Sequence, residues 1–374
     1  MRFVLFAHSL VSDWNHDNAH FLRGIVRALQ ARGHEVRSFE PADGWSRTNL
    51  LADQGELALR RFARDFPDIH AHTYDPMSLD LDAALEGADV VLVHEWNDSG
   101  LVARIGRHRL GGGRYLLLFH DTHHRVASDA AALGAIGLEA YDGVLAFGEA
   151  VREAYLRHGW ARRVWTWHEA ADVSIFRPCG EQAPEADLVW VGNWGDDERT
   201  AELRTFLLEP AQALRLRARI YGVRYPAAAR QALAMAGVAY GGWIANADVP
   251  RAFARHRVTV HVPRRPYVEA LPGVPTIRVF EALACGIPLV CSPWSDVEGL
   301  FRPGTDFLVA PDGTAMTRAL RDVLEDRDLA RGLAATGLAT IRARHTCAHR
   351  VEELLSICGE LSAGKATPRA QAGP

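Results

Sequence analysis

Chemistry first suggests itself at Pro275-Thr276-Ile277-Arg278, where an apolar run at helical spacing begins. Pro275 is suited to open a helix and Thr276 to sit at its first turn. The amides of such a helix start, with Arg278 in the same turn, make an anion site fit for a diphosphate. Glu281 lies five residues past Thr276 and could reach a neutral polyol. The competing reading is an ordinary amphipathic helix with Glu281 merely solvated. A second concentration is Phe119-His120-Asp121-Thr122-His123-His124-Arg125. So tight a run holds one metal ion poorly in tetrahedral geometry. His120 at a strand end is better suited to donate to a hydroxyl or, with Asp121, to take a proton from one. His94, in His94-Glu95-Trp96, is a lesser version of the same arrangement. Asp13, Trp14, His16 and His20 follow the first apolar run. His16 and His20 stand four apart, but no third ligand follows and H-E-x-x-H is absent. Polar cleft lining is expected there, and no metal site.

Basic residues recur after apolar runs, and a guanidinium fork suits phosphate oxygens. Arg199 follows the loop that carries Asn193, while Arg264 and Arg265 come directly after a strand-like segment. Gly222 and Arg224 belong to Tyr221-Gly-Val-Arg-Tyr-Pro226, at the end of another.

The elements that must hold these side chains alternate between strand and helix. Short apolar runs at 2–7, 34–39, 89–93, 115–119, 144–147 and 164–167 predict buried parallel strands. Phe21, Leu22, Ile25, Val26 and Leu29 recur at helical spacing, and Gly33 closes that helix. Residues 176–187, rich in Pro and charge, read as a linker. A second series follows, with strands at 188–191, 217–221, 259–262, 288–291 and 307–309. The expectation is an α/β protein of two doubly wound halves facing a cleft, at the strand carboxyl edges where ligands bind. Its units are 1–178, 179–345, a helix within 346–362 that packs back on the first half, and a disordered tail at 363–374.

Composition narrows the function. The 374 residues carry 42 Lys+Arg against 46 Asp+Glu, a net charge of −4, which argues against a nucleic-acid partner held by a basic face. The apolar start breaks at His8, too early for a secretory signal, and no run approaches a membrane span. Five cysteines without a C-x-x-C pair point to a reducing cytoplasm. Neither the dinucleotide G-x-G-x-x-G nor the P-loop is present.

The stretch Arg278-Val-Phe-Glu-Ala-Leu-Ala-Cys-Gly286 resembles the donor-binding helix of GT-B glycosyltransferases. With Pro303-Gly304 and His345-Thr-Cys-Ala-His-Arg350 it is similar to the branch of group 1 named after spore-maturation glycosyltransferase-like proteins. Gly33-His34-Glu35-Val36 resembles the close of the first helix in that fold. The resemblance implies two Rossmann-like domains and a cytoplasmic, metal-independent transfer of a hexosyl group. The donor would be a nucleoside diphosphate sugar and the acceptor a small molecule, glycan or protein, with no cofactor. It places the Thr276 and Ile277 amides on the diphosphate and Glu281 on the ribose. Arg199, Arg264, Arg265, Arg278 and Asn193 would serve the donor phosphates, Gly222 and Arg224 the nucleobase. Asp13, Trp14, His16, His20 and His94 fall on the acceptor side, with His120 and Asp121 catalytic. One departure stands out. The first Glu of the family's E-x7-E signature falls on Gly273, which leaves donor sugar and stereochemistry open. A nucleotide-sugar epimerase or hydrolase, and a non-catalytic nucleotide-sugar binder, are the alternative readings.

Overall fold

The computed structural model describes residues 1–16, 18–180 and 183–366. Seven parallel strands form the first sheet: β1 (Arg2–Phe6), β2 (Glu35–Pro41), β3 (Ala71–Tyr74), β4 (Val90–His94), β5 (Leu116–Asp121), β6 (Gly143–Ala146) and β7 (Val164–Thr166). Their order is β3-β2-β1-β4-β5-β6-β7. The second sheet holds β8 (Ala186–Val191), β9 (Ala218–Tyr221), β10 (Ala239–Tyr240), β11 (His256–His261), β12 (Leu289–Cys291) and β13 (Leu308–Val309), in the order β10-β9-β8-β11-β12-β13. Both sheets reverse their strand order beside their first strand, and the loops at such a point open a crevice. Central strands are apolar throughout because helices cover both faces; every residue of β4 and β5 is buried. The two halves therefore form an α/β structure of the GT-B type.

The helix Ala19–Ala31 buries Phe21, Leu22, Ile25, Val26 and Leu29, the stripe its spacing predicts, and Gly33 follows with φ +77°. Against it lies the final helix, Cys347–Ala366. Their approach is close: a Cβ on Gly24 would stand 2.4 Å from Cys347 Sγ. Arg32 reaches Glu352 at 2.7 Å, and Trp167 Nε1 donates to the Arg350 carbonyl at 2.8 Å. This helix runs to Ala366, so 363–366 are helical rather than tail; 367–374 lie outside the described residues. Phe176, expected to open the linker, is fully buried and its ring centroid lies 4.3 Å from that of His20. One apolar cluster joins the halves, running from Leu92 through Trp167 and Phe176 to Phe280 and Leu283. Among the described residues no helix is long and apolar enough to cross a membrane.

Candidate active site

Between the carboxyl edges of the two sheets lies a cleft of about 530 Å³. The helix Ile277–Cys285 points its N-terminus into it, with Thr276, Ile277 and Arg278 on the wall. Thr276 is extended (φ −83°, ψ 159°), and its side chain does not cap the helix. The hydroxyl is instead 2.9 Å from His261 Nε2. Burial brings the His261 pKa down to about 3, so that imidazole is neutral. The helix start thus presents amides and the positive end of its dipole to the cleft.

Guanidinium groups surround this point. Arg199 donates to the Val262 carbonyl (3.1 Å) and to Asn193 Oδ1 (2.8 Å), and lies over the Trp190 ring at 5.1 Å. Arg264 shares the same Asn193 oxygen (3.0 Å) and pairs with Glu198 (2.7 Å). Asn193 also crosses the cleft, donating to Asn15 Oδ1 at 2.7 Å. Arg224, at φ +59°, stands at the rim beside Asp196 (3.2 Å). Arg265 does not join them: it turns outward to Glu202 at 3.0 Å. Gly222 is set back, in contact with Gly192, and borders a side cavity of about 30 Å³ with Asp13 and Trp243.

Glu281 is enclosed, with none of its surface exposed. One turn past Arg278, it binds that guanidinium, and its Oε1 lies 2.8 Å from His20 Nδ1 of the other half, close but not aligned as a hydrogen bond. Burial alone would raise its pKa; Arg278, then His20, outweigh that and hold the carboxyl below its usual range. The ribose contact expected of Glu281 requires a side chain open to the cleft, and this one faces the domain interface. His20 is for the same reason an interface residue.

The expected catalytic pair is displaced as well. β5 continues two residues past Phe119, so His120 and Asp121 are strand residues, both fully buried. The His120 ring packs against Trp167 (4.9 Å) and beside His94 (5.2 Å), and burial lowers its pKa to about 3. Asp121 accepts from the Tyr155 hydroxyl at 2.7 Å. Burial raises the pKa of both Asp121 and its neighbour Glu95. Neither His120 nor Asp121 reaches the cleft; Thr122, His123 and His124 do. His94 is buried behind Thr122 Oγ1, 3.2 Å away. Asp13 is engaged by Arg23 (3.1 Å) and the Asn246 amide (3.0 Å). Trp14 donates to Asp53 at 3.1 Å and stands behind Trp45 rather than on the wall. His16 lines the cleft, its pKa pressed well down by burial.

Comparison with known proteins bears on this arrangement. Residues 19–175 match the family described as Glycosyltransferase Family 4, and residues 199–356 the family described as Glycosyl transferase-like. The chain is a group 1 glycosyltransferase of the GT-B fold. Solved structures resemble this glycosyltransferase along nearly its whole length. Sucrose-phosphate synthase from Thermosynechococcus elongatus is 16% identical with a TM-score of 0.66, over 97% of this chain and 100% of that one. HepE from Anabaena, solved with UDP and glucose, is 14% identical with a TM-score of 0.67, over 96% and 100%. An α-glucosyltransferase solved with UDP and a 13-mer DNA is 12% identical with a TM-score of 0.67, over 96% and 99%. Among curated proteins, none matches the sequence significantly.

The structure accounts for one departure of this glycosyltransferase from the family signature. Gly273 has φ +86°, and a Cβ there would lie 2.7 Å from Val297 Cγ2 and 2.9 Å from Glu298 Cγ. Glu298 ties the halves together, accepting from the Glu149 amide (2.9 Å) and meeting His168 Nε2 (2.6 Å). A glutamate at 273 would collide with this tie. Sequence reasoning missed the wall residues His8, Trp45 and Tyr267. Position after a strand end was the available signal for His8 and Trp45; nothing local marks Tyr267, which reaches over from the second half. Among the described residues no three His, Cys, Asp or Glu side chains group as a metal site requires.

Proposed function

We propose that this glycosyltransferase moves a hexosyl group from a nucleoside diphosphate sugar to an acceptor hydroxyl, the second half holding the donor and the first the acceptor. One observation carries the reading: the Ile277–Cys285 helix start and the guanidiniums of Arg199, Arg264 and Arg278 meet on one wall of an interdomain cleft. Charge that develops on a departing diphosphate would meet fixed dipoles and cations already in place. Such a wall neutralises the leaving group without a divalent ion. Asn193 orients Arg199 and Arg264 through one oxygen, a preorganisation that favours phosphate over a neutral ligand. HepE and the α-glucosyltransferase, both solved with UDP, make uridine diphosphate the first nucleotide to try.

The test is calorimetry with uridine, guanosine and adenosine diphosphates, with and without EDTA. One of them should bind with the same affinity in both conditions and should appear as product when the matching nucleotide sugar is supplied. No binding by any of the three rejects the donor site, and binding that EDTA abolishes rejects its metal independence.

A further inference from the structure

We infer that the first half's wall of the cleft is a stacking platform for a neutral saccharide acceptor, anchored by Trp45 and Trp96. The inference rests on glycosyl transfer in this cleft and names the acceptor class. In the sheet, β2, β1, β4 and β5 are consecutive neighbours. The segments that leave their carboxyl ends carry Trp45, at the start of the helix Trp45–Gln54, then His8, Trp96 and His123 in the same order, and all four line the cleft. Topology therefore lays aromatic rings along one edge, alternating indole and imidazole.

The two indoles are unlike the chain's packed ones. Trp45 is 47% exposed and Trp96 42%, whereas Trp167, Trp190, Trp194 and Trp294 are all buried. Exposed as they are, they are held. Trp45 meets the edge of Trp14 at 5.3 Å, and Trp14 is pinned by its bond to Asp53. Arg125 lies over the Trp96 ring at 4.9 Å and is itself fixed by Glu95 at 3.0 Å; His123 meets Trp96 edge-on at 4.8 Å. A rigid ring that stays open to the cleft loses little freedom when a ligand covers it.

The polar groups of the wall select the ligand further. Burial depresses His8, His16 and His123, the last to about 2, so the three rings are neutral hydrogen-bonding groups. Asn15, Asn18 and Thr122 add uncharged donors and acceptors. Among the described residues no Lys or Arg from these loops lines the cleft, Arg125 over the Trp96 ring is neutralised by Glu95, and Glu169 adds a carboxylate to the same wall, so a phosphorylated or carboxylated acceptor, or a nucleic acid, would find no uncompensated cation there. A neutral sugar fits both features. Its C–H face lies on an indole, and its rim of hydroxyls meets imidazole and amide groups.

The experiment uses the full chain saturated with whichever of the three nucleoside diphosphates binds. It is applied to an array of neutral, uronic-acid, sialylated, amino and phosphorylated glycans, with duplex DNA on the same surface. Hits are then titrated with Trp45→Ala, Trp96→Ala and Trp96→Phe. Neutral glycans should bind, each alanine variant should weaken them at least about tenfold, and Trp96→Phe should retain most of the affinity. Nucleotide affinity should stay within about twofold in all three variants, which separates stacking from fold damage. If the nucleotide binds but no glycan does, the inference falls and the donor site stands. It also falls if hits are confined to charged glycans or DNA, or are indifferent to both tryptophans. Absence of nucleotide binding would reject the donor reading and this inference with it.

Discussion

Glu281→Gln isolates the buried charge that links the two halves. The carboxylate has no exposed surface, holds Arg278 on one oxygen and lies 2.8 Å from His20 on the other. Removing one member of a buried ion pair costs roughly 3–5 kcal/mol. The Arg278 side chain keeps 17% of its surface and can turn partly to water, which places the expected cost at the lower end, about 3 kcal/mol. For the 374-residue chain, whose halves share one core, that is a melting temperature lower by roughly 4 °C. The pH dependence supplies a sign. Folded Glu281 titrates below its usual range, because Arg278 and His20 outweigh burial. Its contribution is therefore complete above the unfolded carboxyl value of about 4.3 and is lost as pH falls through the lower folded value. Urea denaturation of both proteins at pH 7, 5 and 3.5 should show a constant gap at the first two and a narrower one at the last. A gap under about 1 kcal/mol at pH 7, or one that does not narrow at pH 3.5, would refute the account of a buried, ionised strut.

Arg264→Ala should weaken nucleoside diphosphate binding about 10- to 150-fold, the value of one hydrogen bond to a charged group, and leave the free nucleoside unaffected in calorimetry. Equal losses for both ligands would point to a disturbed fold. Gly273→Glu, which restores the family signature, should lower the melting temperature without raising turnover, since φ is +86° and Val297 stands 2.7 Å from the new Cβ. A gain in turnover at unchanged stability would show that the loop accommodates the side chain. His120→Ala should cost stability, by about 1–3 kcal/mol, with transfer per folded molecule within about twofold. A loss of a hundredfold or more at unchanged melting temperature would restore an acid–base role to the imidazole.

Much of the fold was legible because central strands of a parallel sheet are apolar on both faces and need no context to stand out. β1, β4, β5 and β11 are of this kind, each almost wholly buried. The strands that escaped notice are β3 and β10, short edge strands with half or more of their residues exposed. An edge strand of two to four residues has no periodicity to display, and its pairing is decided by the neighbour it lies against. The terminal helix was legible in kind but not in length. Its apolar contacts run from Cys347 to Leu361, while the residues beyond add few signals of their own.

The two walls of the cleft differ in how local their logic is. A helix start is written in consecutive residues, so Thr276, Ile277 and Arg278 could be placed at one from the sequence, and they stand there on the cleft wall. What a strand-end residue faces is not local in that sense. Side chains alternate across a sheet with a period of two, and they leave the sheet only where the strand stops. Reading β5 as ending at Phe119 put His120 and Asp121 in the loop; the strand in fact keeps pairing, with His120 opposite His94 and Leu145, and Asp121 opposite Ala146. That extension of two residues carries His120 and Asp121 from the mouth of the cleft to beneath its floor, and hands the cleft-lining positions to Thr122, His123 and His124. The same rule explains Trp45 and Trp96. Each lies beyond the last paired residue of its strand, Pro41 of β2 and His94 of β4, and so each is free to turn its ring into the cleft. The first half's wall of the cleft is therefore set by where four neighbouring strands stop, a property of the sheet as a whole.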